Sequence, residues 1–125
     1  MSDIKSLSID EFISQNNLIE VKYPIITTDE FNRVIRRQEA NGSYVEYEYE
    51  NDTTELNITK ETEGNSKGVT KVMTREYVGE GLDSYYSDDK GVEIKKEYDG
   101  KTVTKTIRID NGKIFIDGKL YEPQS

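Results

Sequence analysis

The spacing of the apolar residues changes near residue 43, from a period typical of helices to a period of two. Before that point, one helix face is indicated by residues at i, i+3, i+4 and i+7, namely Phe31, Val34, Ile35 and Gln38. Threonines at 27–28 can cap the start of this segment, and Asn-Gly at 41–42 can end it. The pattern therefore predicts a helix at residues 28–40.

A second, shorter helix is predicted near the N-terminus. Ser8 is a suitable N-cap, and Glu11 three residues later completes a capping box ahead of Phe12. These signals predict a helix at residues 9–16. The apolar stretch that follows contains Pro24, which has no main-chain N–H to donate, so we expect an edge strand or an extended connection there.

From residue 43 onwards, alternating side chains predict strands joined by tight turns. A first hairpin centred on Asn51-Asp52 predicts the pairs Val45 with Ile58, Tyr47 with Leu56, and Glu48 with Glu55. Residues 69–78 read as a further strand, and the Gly- and Asp-rich stretch at 79–91 reads as an interruption. Asp-Gly or Asn-Gly turns at 99–100, 111–112 and 117–118 are strong hairpin signals. The pairs that they predict are Val92 with Ile107, Ile109 with Ile114, Ile107 with Ile116, and Phe115 with Leu120.

Together these elements predict one α+β domain over residues 1–125, with a helical part at 1–42 and a β-meander at 43–125. The meander is expected to be a twisted antiparallel sheet of about six or seven strands within residues 43–121. The helix at 28–40 should pack on it, with the short helix at 9–16 ahead of that. Thirteen Ile, eight Val and nine Tyr against one Ala agree with a sheet-rich fold.

The chain is acidic, with a formal charge of −8, and the charge is uneven. Seven acids and one lysine lie between Glu46 and Glu63. Such a chain repels phosphates and anionic lipids, so we expect no nucleic-acid partner and no membrane partner, and suspect a basic protein instead. No apolar run is long enough to span a bilayer, which favours a cytoplasmic protein unless a signal segment has been removed.

The residue types exclude many kinds of chemistry. With no His and no Cys, the usual nucleophilic triads and zinc sites are impossible, and no phosphate-binding loop occurs. We therefore expect a protein that is not an enzyme and has no cofactor and no metal. Residues 83–91 could hold Ca²⁺ through Asp83, Asp88 and Asp89, although an ordinary polar turn explains them as well.

The first hairpin is the candidate partner-binding site. Its outer face would carry Glu46, Glu48, Glu50 and Glu55, with Tyr44 at the base. Like charges directly opposite one another destabilise a sheet by a few tenths of a kcal/mol, so a retained row of glutamates suggests a use. One interpretation is a docking surface for a basic partner, and the other is a charged strand that discourages aggregation.

The sequence thus favours a non-catalytic binding protein, an acidic inhibitor or immunity-type protein that neutralises a basic partner through this Glu/Tyr-rich hairpin. The first alternative is a structural or surface-exposed sheet module of a larger assembly or exported protein. The second is a nucleic-acid mimic, in which rows of carboxylates imitate a phosphate backbone.

Overall fold

A computed structural model describes residues 4–124, which form one short helix and a ten-stranded antiparallel sheet in which spatial order follows chain order. The elements are α1 (Ile9–Gln15), β1 (Ile25–Thr28), β2 (Val34–Gln38), β3 (Tyr44–Tyr49), β4 (Ile58–Asn65), β5 (Gly68–Gly79), β6 (Leu82–Asp88), β7 (Val92–Asp99), β8 (Thr102–Asp110), β9 (Lys113–Ile116) and β10 (Lys119–Tyr121). Each strand contacts only its neighbours in sequence, so the sheet is an open meander with two free edges.

This sheet-dominated fold corrects the predicted α+β architecture of two helices and six or seven strands. The helix at 28–40 is wrong: the segment contains the end of β1, a turn and the whole of β2. The carboxylate of Asp29 accepts hydrogen bonds from the main-chain N–H groups of Phe31 and Arg33, and Asn32 takes a left-handed conformation with φ of 66°. A side chain that binds its own backbone in this way competes with a helix, and the β-branched residues that follow favour a strand.

The short N-terminal helix is found close to where the sequence predicts it. Ser8 and Glu11 form the capping box: the Ser8 hydroxyl accepts from the Glu11 N–H, and the Glu11 carboxylate accepts from the Ser8 N–H. Within residues 4–124, α1 packs against none of the strands. It therefore does not cover the sheet.

The predicted turns are confirmed more often than the predicted registers. Hairpins occur at all three Gly turns of the C-terminal part, and Ile109–Ile114, Ile107–Ile116 and Phe115–Leu120 pair as predicted. The predicted pair of Val92 with Ile107 is wrong, because the hairpin turns at 100–101 instead of 99–100 and a β-bulge follows Glu97, so Val92 lies opposite Asp110. The predicted interruption at 79–91 contains β6.

The sheet is a single layer with almost no hydrophobic core. Among the described residues, Met73 is the one buried hydrophobic side chain, while the buried polar side chains are Arg33 and Asn57. The strand registers define two faces. Face A carries Tyr47, Met73, Tyr86, Arg108 and their row neighbours, and face B carries the opposite residues, including Glu46, Glu48, Ile107 and Ile109. Both faces lie open to solvent within residues 4–124.

A tyrosine near the end of alternate strands ties each hairpin together. The hydroxyls of Tyr49, Tyr77 and Tyr98 donate to main-chain carbonyls near the start of the preceding strand, those of Val34, Ile58 and Asp83, at 2.6, 2.7 and 2.8 Å. Desolvation raises the pKa of Tyr49 and of Tyr77, as expected of phenols held against protein atoms. These bonds lie at one end of the strands, called here the closed end of the sheet. The turns at 29–33, 50–57, 80–81 and 100–101 lie at the same end.

Candidate protein-binding surface

A loop at residues 50–57, called here the anchored loop, joins β3 to β4 at the closed end of the sheet. It replaces the tight hairpin predicted at Asn51-Asp52, which is wrong: Val45 lies opposite Glu63, not Ile58. The loop begins with the N–H of Glu50 donating to the carbonyl of Asn57 at 2.8 Å. Two buried polar side chains hold it in place.

The first anchor is Arg33, which is 6% exposed and lies under the loop. Its Nη1 donates to the main-chain carbonyls of Asn51 and Glu55 at 2.9 and 2.7 Å, and its Nε donates to the Asp29 carboxylate at 2.9 Å. The guanidinium carbon lies 4.2 Å from the ring centroid of Tyr49. A buried cation is thus balanced by one carboxylate, two carbonyls and an aromatic face.

The second anchor is Asn57, which is 4% exposed and joins the loop to the turn between β5 and β6. Its Nδ2 donates to the carbonyl of Gly79 at 3.2 Å, and its Oδ1 accepts from the N–H of Gly81 at 2.8 Å. The side-chain amide of Asn57 thus makes one hydrogen bond as donor and one as acceptor, both to main-chain groups more than 20 residues away in sequence. The anchored loop is therefore a preformed part of the surface.

The structure divides the predicted site residues into two groups. Glu46 lies on β3 and forms an ion pair with Arg36 on β2, and Glu48 lies 3.8 Å from the Lys60 ammonium on β4. The predicted repulsion between Glu48 and Glu55 is absent, since Lys60 stands opposite Glu48. Two of the predicted glutamates are therefore neutralised by neighbouring strands.

Tyr44 also has a structural role at the base of β3. Its ring lies against Gly64 on β4, where a Cβ atom would overlap it, and the Arg36 guanidinium lies 4.4 Å from the ring centroid. Tyr44, Arg36 and Glu46 thus form one cluster on face B. The cluster is half-buried to exposed and its polar groups are matched.

The remaining predicted residues, Glu50 and Glu55, lie together on the anchored loop with Asp52. Within residues 4–124 none of these three carboxylates forms an ion pair with a Lys or Arg. The Asn51 amide is their nearest polar partner, donating to Glu55 at 2.8 Å and to Glu50 at 3.4 Å. Leu56 beside them is 66% exposed, so the loop presents apolar surface next to uncompensated negative charge.

Charge is segregated along the sheet. Residues 1–66 contain fourteen acids and six bases, a balance of −8, whereas residues 67–125 contain eleven of each. Because strand order follows chain order, the half of the sheet formed by β1 to β4 is acidic and the half formed by β6 to β10 is neutral. The whole net charge of the chain therefore lies in the part that contains the anchored loop.

The possible Ca²⁺ ligands Asp83, Asp88 and Asp89 each bind other groups of the sheet instead of converging on one point. Asp88 accepts from the N–H groups of Lys90 and Val92 and from the Tyr86 hydroxyl, and Asp83 lies 3.3 Å from the Lys96 ammonium. Desolvation raises the pKa of Asp88, but those hydrogen bonds together lower it by a larger amount. The pKa of Asp88 therefore lies below its ordinary 3.8. No group of three metal-binding side chains occurs in the part of the chain that the structure describes.

Face A has an open depression of about 400 Å³ in its neutral half. Basic and acidic side chains line it in similar number, with Arg75 5.0 Å from the Tyr86 ring centroid and Asp88 held as described above. The Tyr86 hydroxyl donates to the Asp88 carboxylate at 2.9 Å. The depression therefore presents mixed charge in which part of the polar groups bind one another.

The predicted elements do not indicate either anchor of the loop. A helix at 28–40 would place Arg33 away from its apolar side, and a hairpin centred on Asn51-Asp52 would place Asn57 on its outer face. One partial signal is present: the dipeptide Glu-Tyr occurs at 46–47, 48–49, 76–77 and 97–98, and the last three end a strand on a hydroxyl-to-carbonyl bond. Aligning 48–49 with the two later dipeptides places residues 50–57 in a connection.

The chain matches no protein-family model, and the curated proteins contain no similar sequence. No helix within residues 4–124 is long and apolar enough to cross a membrane.

Proposed function

We propose that this chain is a non-catalytic binding protein whose acidic half docks on a basic protein partner, in the manner of an inhibitor or immunity protein. The observation that carries the proposal is the segregation of charge: −8 lies in residues 1–66 and none in residues 67–125. A one-sided field of this kind steers a cationic partner to one end of the molecule and raises the association rate.

The anchored loop is the proposed centre of the docking surface. No Lys or Arg among residues 4–124 pairs with Glu50, Asp52 or Glu55, so a Lys or Arg of the partner would meet negative charge that is still available. Leu56 adds apolar area at the same place. Arg33 and Asn57 hold the loop in the free protein, so little conformational entropy would be lost on binding.

The structure alters the role of the predicted site residues within this proposal. Glu50 and Glu55 remain contact residues. Glu46, Glu48 and Tyr44 support the acidic half of the sheet through Arg36, Lys60 and Gly64, and belong to the border of the surface.

The experiment that tests the proposal compares two variants with the same change in charge. One carries Glu50→Lys and Asp52→Lys in the anchored loop, and the other carries Glu97→Lys and Glu122→Lys in the neutral half. Immobilised protein is used to capture a partner from cells of the source organism. The partner is then identified, purified and titrated by calorimetry.

The expected result is a partner with a basic isoelectric point whose affinity falls at least about tenfold with the loop variant and little with the control. Affinity should also fall as salt is raised from 0.05 to about 0.5 M, because the Debye length shortens. Equal effects of the two variants, or a partner of acidic character, would overturn the proposal.

A structural module of a larger assembly is the second candidate function, and one observation favours it. The sheet has two free edges, β1 and β10, and no layer on either face within residues 4–124. Sheets left open in this way pair readily with further strands. In that case the capture experiment should yield a stable assembly whose affinity does not depend on Glu50 or Asp52.

A further inference from the structure

We propose that two copies of this chain associate by exchanging α1, the helix of each copy packing on an isoleucine patch of the other. The patch lies on face B at the neutral end of the sheet. Ile107, Ile109, Ile114 and Ile116 form it. This association is independent of the acidic surface at the opposite end.

The helix offers an apolar side with nothing packed against it. Ile9 and Ile13 lie one turn apart and are 80% and 43% exposed, and Phe12 between them is half-buried. No strand contacts α1 within residues 4–124. In water an isolated helix of seven residues is marginal, so this helix gains most of its stability from packing against another surface.

The isoleucine patch is the matching surface. Its four side chains form two cross-strand pairs, Ile107 with Ile116 and Ile109 with Ile114, and Tyr121 lies opposite Ile114 on the next strand. Ile107 is 39% exposed and Tyr121 is 51% exposed. Contiguous apolar side chains on a sheet face usually have another layer over them, and here that layer is missing from the described part of the chain.

Charge complementarity selects the helix as the occupant. Residues 4–21 contain the acids Asp10, Glu11 and Glu20 and one base, Lys5. The border of the isoleucine patch carries Lys95 opposite Ile107 and Lys119 opposite Ile116. It also carries Glu93 opposite Ile109, whose carboxylate accepts a hydrogen bond from the Tyr85 hydroxyl at 2.7 Å. Neither of these two lysines forms an ion pair within residues 4–124, so each is available to an acidic helix.

The reach of the chain favours a helix that comes from a second copy. The main-chain N–H of Leu18 donates to Ile13 at 3.0 Å and ends the helix, which leaves residues 19–24 as the connection to β1. With strands about 4.8 Å apart, β1 lies roughly 34–38 Å from β8 and β9. The connection spans at most about 25 Å and the helix adds about 10 Å, so a copy would cover its own patch only with the connection fully stretched, at a large cost in conformational entropy.

The exchange is self-complementary, as a two-fold dimer requires. Each copy supplies one helix and one patch, so both contacts form at once. Because the connection is short, β1 of each copy lies near β8 and β9 of the other. The acidic half of one copy, with a charge of −6 over residues 25–66, therefore faces the neutral half of the other, where residues 67–125 contain eleven acids and eleven bases.

The absence of cysteine permits a direct test by crosslinking of the full chain. Protein with Ile9→Cys is mixed with protein carrying Lys119→Cys and a size tag, and the mixture is oxidised. The control replaces Lys119→Cys with Lys60→Cys, which lies on the same face in the acidic half. We expect the mixed crosslink with Lys119→Cys and at least about tenfold less with Lys60→Cys.

Two results of this experiment would overturn the proposal. One is equal crosslinking to the two positions. The other comes from a further sample, a chain that carries both Ile9→Cys and Lys119→Cys: crosslinking confined to single chains would mean that a copy reaches its own patch.

Sedimentation equilibrium of the unmodified chain gives an independent measurement. We expect a concentration-dependent dimer whose dissociation constant rises at least about tenfold with Ile13→Asp, because an apolar contact is lost. Val21→Asp, the same kind of change outside the helix, should alter it less than about twofold. Lys119→Glu should weaken the dimer, and Asp10→Lys in the same chain should restore it.

The urea unfolding midpoint of the monomer should be unchanged by Ile13→Asp, since α1 contacts no strand of its own chain. A chain that sediments as a monomer at every concentration, or a dimer insensitive to Ile13→Asp, contradicts the exchange.

Discussion

The hydroxyl of Tyr77 lies 2.7 Å from the main-chain carbonyl oxygen of Ile58 and donates a hydrogen bond to it, joining the end of β5 to the start of β4. Tyr49 and Tyr98 make the same kind of bond in the hairpins on either side. In a sheet with a single buried hydrophobic residue among those described, such bonds and the cation–π contacts of Arg33, Arg36 and Arg75 provide side-chain cohesion that a core normally provides.

Removal of one such hydroxyl should destabilise the protein measurably. We expect Tyr77→Phe to lower the free energy of unfolding by about 1–1.5 kcal/mol, because the half-buried carbonyl of Ile58 loses its donor. Urea unfolding followed by tyrosine fluorescence measures the change. Tyr121→Phe serves as the control, since Tyr121 is 51% exposed, and should change it by less than about 0.5 kcal/mol.

Arg33 should matter far more to stability than Arg36, although both are arginines with one carboxylate partner. Arg33→Met leaves two loop carbonyls and the Oδ2 atom of Asp29 without their side-chain donor under the loop, so we expect a loss of about 2–3 kcal/mol. Arg36→Met removes an ion pair at the surface and should cost about 0–1 kcal/mol. Similar unfolding midpoints for the two variants would contradict the anchoring role of Arg33.

Stability should fall in acid because Asp29 and Asp88 bind protons less readily in the folded chain than in the unfolded one. Desolvation raises the pKa of Asp29, but hydrogen bonds from Arg33 and Phe31 lower it below the ordinary 3.8, and Asp88 is shifted in the same direction. A lowered folded pKa stabilises the protein above the unfolded value, and this contribution is lost as the pH falls through the folded pKa.

Urea midpoints measured between pH 6 and pH 2 should therefore decline mainly below about pH 4. Asp88→Asn cannot titrate there, and we expect a shallower decline for this variant. An identical slope for Asp88→Asn and the unmodified chain would show that the hydrogen bonds from Tyr86, Lys90 and Val92 do not favour the ionised carboxylate.

Charge reversal should distinguish a glutamate that forms an ion pair across two strands from one that forms no ion pair among the described residues. Glu46→Lys removes the partner of Arg36 and places two cations on adjacent strands, so we expect a loss of up to about 1 kcal/mol. Glu50→Lys lies on the anchored loop with no ion pair to break and should change stability by less than about 0.5 kcal/mol. Thermal unfolding of the two variants in one buffer makes the comparison.

The C-terminal hairpins could be predicted because their signals are local. An Asp-Gly or Asn-Gly turn fixes where the chain reverses, and residues within a few positions of Gly112 and Gly118 then pair without ambiguity. The register of β7 with β8 could not be predicted for two reasons. Asp99 pairs with Thr102, so the turn lies at 100–101 and not at Asp99-Gly100. The bulge after Glu97 then adds one more residue to one side and leaves no mark in the alternation of polar and apolar residues.

The segment at 28–40 shows why periodicity alone misled. Phe31, Val34 and Ile35 fit a helix spacing, yet the outcome depended on Asp29 binding the backbone of its own turn and on Arg36 meeting Glu46 across two strands. The contact between Arg36 and Glu46 forms only when β2 and β3 are paired, so the sequence of this segment alone does not reveal it. For the same reason the sequence indicated an acidic surface but could not indicate that Glu46 and Glu48 are neutralised and that Glu50 and Glu55 are not.

Amide hydrogen exchange of the free chain and of its complex with the captured partner shows whether a basic partner docks on the anchored loop. We expect slower exchange on binding at residues 50–57 and at the adjoining turn at 80–81, with little change at residues 92–121. Unchanged exchange at residues 50–57 together with protection of β8 to β10 would mean that the partner docks at the neutral end instead.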